Sequence, residues 1–378
     1  MSAPAAEPLP IDWAKARQHW SLVPPKAQAL PKVKDTTWPR QRADHFILAR
    51  IEQNDLTPSP EADARTLIRR VFFDLTGLPP SSQETRKFLA DSRPGAYERL
   101  VDDLLGRSAF GEKMASLWLN LARYAEDQAH QVGSNTSLNL PNAWRYRDWV
   151  VSAFNADLPY DAFIQKQLAV DLIEPKNKAD LPALGFLGLG HKLYARSRLD
   201  VQAEEWAEQV DTVSQTFLGL TVACARCHDH KFDPITSRDY YAMAGVFASV
   251  KKVSLRPDGK DEDDKTNAEK VDPGTLHIVR DDKPHDLPIY ERGDVESPGA
   301  VAPRGWLQVL SRGEPAKFQQ GSGRAELARC IADESNPLTA RVIVNRVWGM
   351  LFGAPLARTT SNFGVMGDKP THPELLGD

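Results

Sequence analysis

Cysteine is scarce in this chain of 378 residues: there are three, and two of them, Cys224 and Cys227, stand within one short run. That excludes a scaffold stapled by disulfides, which needs cysteine at high density. Long apolar runs are also missing, and nothing approaches the roughly eighteen residues that a membrane-spanning helix requires. Charge of one sign is not in excess either. With 47 basic and 51 acidic residues the net charge is -4, and no lysine or arginine cluster overturns it, so a general nucleic-acid binder is not expected. The opening stretch Met1 to Pro8 has no basic segment and no apolar core of a leader. No repeat with a period of about twenty to fifty residues is visible.

What is present describes a soluble globular protein, 41% hydrophobic and long enough for two or three domains. Residues 1–60 are rich in proline and carry Trp13, Trp20 and Trp38 in polar surroundings, the composition of an extended arm laid across a folded body. From Ala62 helical periodicity sets in. Leu67, Ile68, Val71, Phe72 and Leu75 share a face and Gly77-Leu78-Pro79-Pro80 supplies a stop. The same spacing predicts helices over Tyr97 to Leu105, Met114 to Leu121, Trp144 to Phe154, Phe163 to Leu172 and Ala203 to Leu218. Residues 251–273 are dominated by Lys, Asp and Glu and read as a solvated linker. Short strands are expected around Thr275 to Val279, Leu287 to Tyr290 and Val301, with the only sheet between about residues 270 and 310. Helical periodicity returns from Ala325 and again over Leu338 to Leu351, and Thr371 to Asp378 reads as the start of another helix. The expected fold is mainly α. A helical domain over 61–250 is followed by a linker and small β module over 251–310 and by the start of a second helical domain over 311–378.

One stretch names a chemistry. Cys224-Ala225-Arg226-Cys227-His228 is the C-x-x-C-H signature of c-type haem attachment, in which each thiol adds across a haem vinyl group and the imidazole binds the iron. On one helical turn, positions i, i+3 and i+4 face the same way, so both thioethers and the ligand address one porphyrin. A disulfide, a redox dithiol, or a zinc site joining Cys224 and Cys227 to His228 and His230 are the other uses of such a run. Against zinc, all four ligands would lie within seven residues, whereas structural zinc sites usually combine pairs from separated segments. Against a thioredoxin-like dithiol, no βαβ pattern precedes the motif.

Several segments carry a resemblance. Thr66 to Arg70, Asp74 to Pro80, Ala122 to Ala125, Trp144 to Val150 and Cys224 to Pro234 resemble the planctomycete-type cytochrome c-like domain. Asn336 to Val342, Asn345 to Trp348 and Thr371 to Leu376 resemble the start of the domain of unknown function that accompanies it. The resemblance covers nearly the whole chain, and in it the second domain normally continues beyond the point where this chain ends. It implies a helical cytochrome-like domain, haem c as cofactor, and a periplasmic or otherwise extracytoplasmic location, with a leader removed before residue 1.

If haem is bound, Cys224 and Cys227 are its attachment points, His228 is the proximal iron ligand, and the backbone around Asp233-Pro234 is a neighbour fixing the imidazole. His230 is then a hydrogen-bonding neighbour, or in the zinc alternative a metal ligand. His130 and His191 are candidates for the distal position, with Met243, Met350 and Met366 as thioether options. Cys330, on an apolar helical face, is expected to be unrelated to the other two cysteines. A second polar cluster joins Arg123, Tyr124, Glu126 and Asp127 to Arg145, Arg147 and Asp148, set between Trp144 and Trp149. These residues could hold haem propionates, grip a sugar, or tie helices together by ion pairs. Arg123, Asp127 and His130 are the candidates for acid–base work. Two functions stay open: a monohaem electron-transfer protein or haem domain of an oxidoreductase, acting with a redox partner protein, and a metal-assisted enzyme acting on polysaccharide, in which the Cys/His run is structural or metal-binding.

Overall fold

The computed structural model describes residues 11–126, 140–190, 197–263 and 271–378. Asp127, His130 and His191 lie outside these, and the acid–base and distal-ligand expectations placed on them fall there. Within the described residues the fold is mainly helical with small β portions.

The first described element is one turn, α1 (Trp13–Ala16), in which the Asp12 side chain accepts the Lys15 amide. The expected N-terminal arm also contains a full helix, α2 (Arg42–Gln53), started by a capping box between Gln41 and Asp44. Four helices follow: α3 (Ala64–Thr76), α4 (Ser82–Ala90), α5 (Ala96–Leu105) and α6 (Ser108–Leu121). In α3 the Asp63 carboxylate caps Arg65 and Thr66, Ile68, Val71 and Phe72 are buried, and Gly77 ends the helix in the left-handed region. With Leu104 these side chains form a small satellite core, each large one contributing roughly 1.5–3 kcal/mol by burial.

The main body is built from α7 (Trp144–Asn155), α8 (Tyr160–Ile173), α9 (Gly185–Gly188), α10 (Leu199–Val213) and α11 (Ser237–Ala248). α10 runs on into one π-helical turn, Ser214–Leu218, closed by Gly219 at φ 59°. Three strands then form an antiparallel sheet in the order β2–β1–β3: β1 (Val250–Leu255), β2 (Asp261–Asp263) and β3 (Leu276–Asp281). A second sheet pairs β4 (Leu287–Tyr290) with β5 (Pro298–Ala302). The chain finishes with α12 (Arg324–Ala332), α13 (Thr339–Phe352) and the short α14 (Pro373–Leu376).

The β content departs from expectation in two ways. The described residues form two sheets rather than one, and β1 and β2 occupy the stretch read as a charged linker. Lys251 and Lys252 conceal β1 from a reading of composition, while Val253 and Leu255 bury their side chains and pair with Ile278 and Leu276. One continuous core joins α6–α8 and α10–α11 to β1, β3, α12 and α13, reaching from Leu22 to Phe363. No helix among the described residues is long and apolar enough to cross a membrane.

Candidate functional site

The turn that carries the cysteine run begins three residues after Gly219 turns the chain out of the π-helical end of α10. Val222–Arg226 forms a 3₁₀ turn with Cys227 at its end, and Val222 and Ala225 are buried in the main core. Residues three apart eclipse on such a turn, so Cys224 and Cys227 share a side and both are exposed, neither in a disulfide. Arg226 is anchored by Glu204 at 2.8 Å, and its carbonyl accepts from the Tyr241 hydroxyl at 3.0 Å. Across from Cys227 lies the turn after β4. A Cβ on Gly293 would stand 2.8 Å from the Cys227 sulfur, and the residue has φ 77°, so glycine alone suits that position.

The two histidines have different surroundings. His228 is exposed, and its Nδ1 sits 2.6 Å from the Asp229 carbonyl. A carbonyl can only accept, so Nδ1 carries the proton and Nε2 presents a lone pair outward, the arrangement that metal-binding histidines use. His230 is engaged on both sides. Its Nδ1 accepts the backbone N–H groups of Phe232 and Asp233 at 3.2 and 2.8 Å, which places the proton on Nε2, 3.0 Å from the Thr221 hydroxyl. His230 therefore holds the loop in shape and would have to break these bonds to bind a metal. Among the described residues no group of three or more His, Cys, Asp or Glu side chains is arranged to hold a metal ion.

Asp233 locks the end of the run. Its side chain is 2% exposed, and Oδ1 accepts the Val365 amide at 2.6 Å while Oδ2 lies 3.5 Å from His230 Nε2. The backbone at Gly364 passes so close that a Cβ there would be 2.3 Å from Oδ2. Phe363 donates its amide to Gly219 O at 2.7 Å, and Arg346 reaches the carbonyls of Gln215 and Thr216, which the π-helical turn presents to it. Ser21 from the N-terminal arm donates to Phe363 O at 2.8 Å. The cysteine loop is thus gripped by the first and last segments of the chain, over sequence separations that no local pattern displays.

Two exposed thiols stand on one side of one turn and are followed by an imidazole with Nε2 free, so Cys224, Cys227 and His228 are the residues that could hold haem c. Met243 is buried within the core on α11 and Met350 is half-buried on α13. Met366 is exposed and follows Val365, whose amide holds Asp233, which puts it beside the cysteine loop.

The second cluster divides. Arg123 pairs with Glu208 at 3.2 Å and Asp211 at 2.5 Å, tying the end of α6 to α10. Tyr124 donates to Glu126, which also meets Arg147 at 3.4 Å. Arg145 instead donates to Pro273 O at 3.2 Å and lies over the Trp144 ring. Arg123 is thereby committed to an interhelical ion pair, and Trp144, Arg145 and Asp148 border a separate cleft.

Residues 42–252, more than half of the chain, match the family PSCyt2, protein of unknown function (DUF1549). The chain belongs to the PSCyt2 family. A second match, PSD1, protein of unknown function (DUF1553), covers residues 323–378. The two in this order are consistent with the planctomycete-type domain pair that the sequence segments resemble. No curated protein and no solved structure matches the chain. The PSCyt2 match contains the cysteine run whole, and the PSD1 match supplies Arg346, Phe363 and Val365, so the loop is held jointly by both.

Proposed function

We propose that the PSCyt2 segment is a haem-attachment module and that the protein is an extracytoplasmic monohaem electron carrier, or the haem domain of an oxidoreductase. The observation that carries this reading is the disposition of the run: Cys224 and Cys227 exposed on one side of a single turn, with His228 beside them offering Nε2. Bound there, haem supplies one-electron chemistry at its iron. The residues have separable tasks. Cys224 and Cys227 would hold haem through thioethers and His228 would bind its iron, with the Asp229 carbonyl fixing the orientation of the ring. His230 and Asp233 keep the loop rigid, and Met366 is the described thioether beside it. Val222 and Ala225 of the same turn are buried in the main core, so a haem held by the exposed thiols would attach on the solvent side of that turn.

The test is a pyridine haemochrome spectrum on protein produced with the haem-attachment machinery. Sharp reduced bands that survive acid–acetone extraction are expected. Cys224→Ala or Cys227→Ala should lower the haem content, and His228→Ala should leave haem attached but shift it to a high-spin spectrum with a changed potential. A colourless protein overturns the proposal. If it instead holds one equivalent of zinc that His228→Ala removes together with stability, the run is a structural metal site.

A further inference from the structure

The cleft along α7 is separate from the cysteine loop and unused by the proposal above. It has a volume of about 480 Å³, within the range of small-molecule sites. One wall is α7, which lines up Trp144, Asp148 and Ser152 at intervals of four residues, with Arg145 alongside. The other wall is the turn Ala179 to Pro182, which includes Asp180.

Its parts are fixed in advance. Trp149 is buried, stacked on Phe163 at an interplanar angle of 10°, and its Nε1 donates to Asp180 Oδ1 at 2.7 Å. The other Asp180 oxygen is held by Lys166 and Asn177 at 2.8 and 2.7 Å. Arg145 is tethered through Nε to Pro273 O, with its guanidinium carbon 5.3 Å from the centre of the Trp144 ring. Against this rigid frame three groups are open. Trp144 is 38% exposed, and among the described residues Asp148 bonds only to its neighbour Arg147 at 3.2 Å and the Ser152 hydroxyl makes no hydrogen bond.

The walls decide what fits. One is an α-helix and the other a turn that leads into the 3₁₀ segment Leu181–Leu184, so neither described wall offers a strand edge for an extended peptide to pair with. A wholly apolar ligand would strip water from Asp148 and Arg145 without replacing it. A pyranose ring has an apolar face of C–H groups that packs on an indole and an equator of hydroxyls that both donate and accept.

We propose that this cleft binds a neutral oligosaccharide, with Trp144 as the stacking platform and Asp148, Ser152 and Arg145 as hydrogen-bonding partners for ring hydroxyls. The test is a titration of the full chain with cellohexaose, xylohexaose, maltohexaose and chitohexaose, followed by calorimetry and by tryptophan fluorescence. At least one should bind with saturation. Trp144→Ala should weaken it tenfold or more, and Asp148→Ala, an exposed change that leaves the packing intact, should weaken it severalfold. Trp38→Ala, at an indole of similar exposure far along the chain, should leave binding unchanged. The assignment is overturned if none of the four sugars binds, or if one binds with the same affinity to the Trp144→Ala and Asp148→Ala proteins.

Discussion

Cys330 and the two cysteines of the loop are chemically different thiols. Cys330 is half-buried on α12, and burial, then the negative charges of Asp333 and Glu326, push its thiol up to about 11. Against its ordinary value of 9.0, that leaves about a hundredfold less thiolate at neutral pH. In timed iodoacetamide labelling of the protein without haem, read by mass spectrometry, the exposed Cys224 and Cys227 should react first and Cys330 markedly more slowly. Equal rates at all three would show that α12 opens in the native state. This separation was legible in the sequence, because Leu327, Ala328 and Ile331 mark a buried helical face on which a thiol behaves as a small hydrophobe. The part played by Asp233 was legible only as a neighbour of the motif. Its main partner, the Val365 amide, lies 132 residues away, and nothing local distinguishes a buried aspartate from the exposed ones around it.

At the scale of elements, the helices with strong periodicity and clear stops were readable, and the elements whose signal is carried by partners were not. α3 begins at an aspartate cap and ends at a glycine, both visible in sequence. β1 is hidden because two of its six residues are lysines, and it becomes a strand through pairing with β3. α2 is hidden within an arm whose prolines and tryptophans dominate the composition. The cysteine loop belongs to the second kind, since its shape depends on the segment around Gly364. A methyl group there would lie 2.3 Å from Asp233 Oδ2 and 2.4 Å from Oδ1, the oxygen that already accepts the Val365 amide. Gly364→Ala should therefore displace Asp233, cost on the order of 1–3 kcal/mol as overpacking does, and speed amide exchange at His230 and Ile235. Denaturant unfolding together with hydrogen exchange checks both. A loss of stability with exchange in the loop unchanged would mean that the C-terminal segment yields and the loop does not depend on it.

Over the whole molecule the two family matches share a single core, and its most demanding polar feature spans the gap between them. Arg324 is 1% exposed at the start of α12. It meets Asp171 of α8 at 3.0 Å and Asp281 of β3 at 2.8 Å, and donates to the Leu168 carbonyl at 3.0 Å. One guanidinium thus joins the PSCyt2 helices, the sheet that follows them and the PSD1 segment. Replacing it with methionine keeps an unbranched apolar stem but strands two carboxylates, and breaking such a pair costs about 3–5 kcal/mol. The pH dependence identifies the cause. Burial alone would raise the Asp281 carboxyl, but the Arg324 charge and the hydrogen bonds from Ser322 and Arg324 outweigh it and leave it below its ordinary 3.8. A carboxyl depressed in the folded state stabilises fully above its unfolded value, and that contribution is lost as pH falls through the folded one. Arg324→Met removes the charge that does most to lower it and leaves only the Ser322 hydrogen bonds against burial, so protonation relieves a carboxylate that is half-buried without its cation. Urea unfolding from pH 7 to pH 3 should show the parent protein losing stability below about pH 4 while the variant loses less, so the gap between them narrows. A gap that stays constant across that range would mean that Arg324 acts through packing of its aliphatic stem and that its charge contributes nothing to joining the two segments.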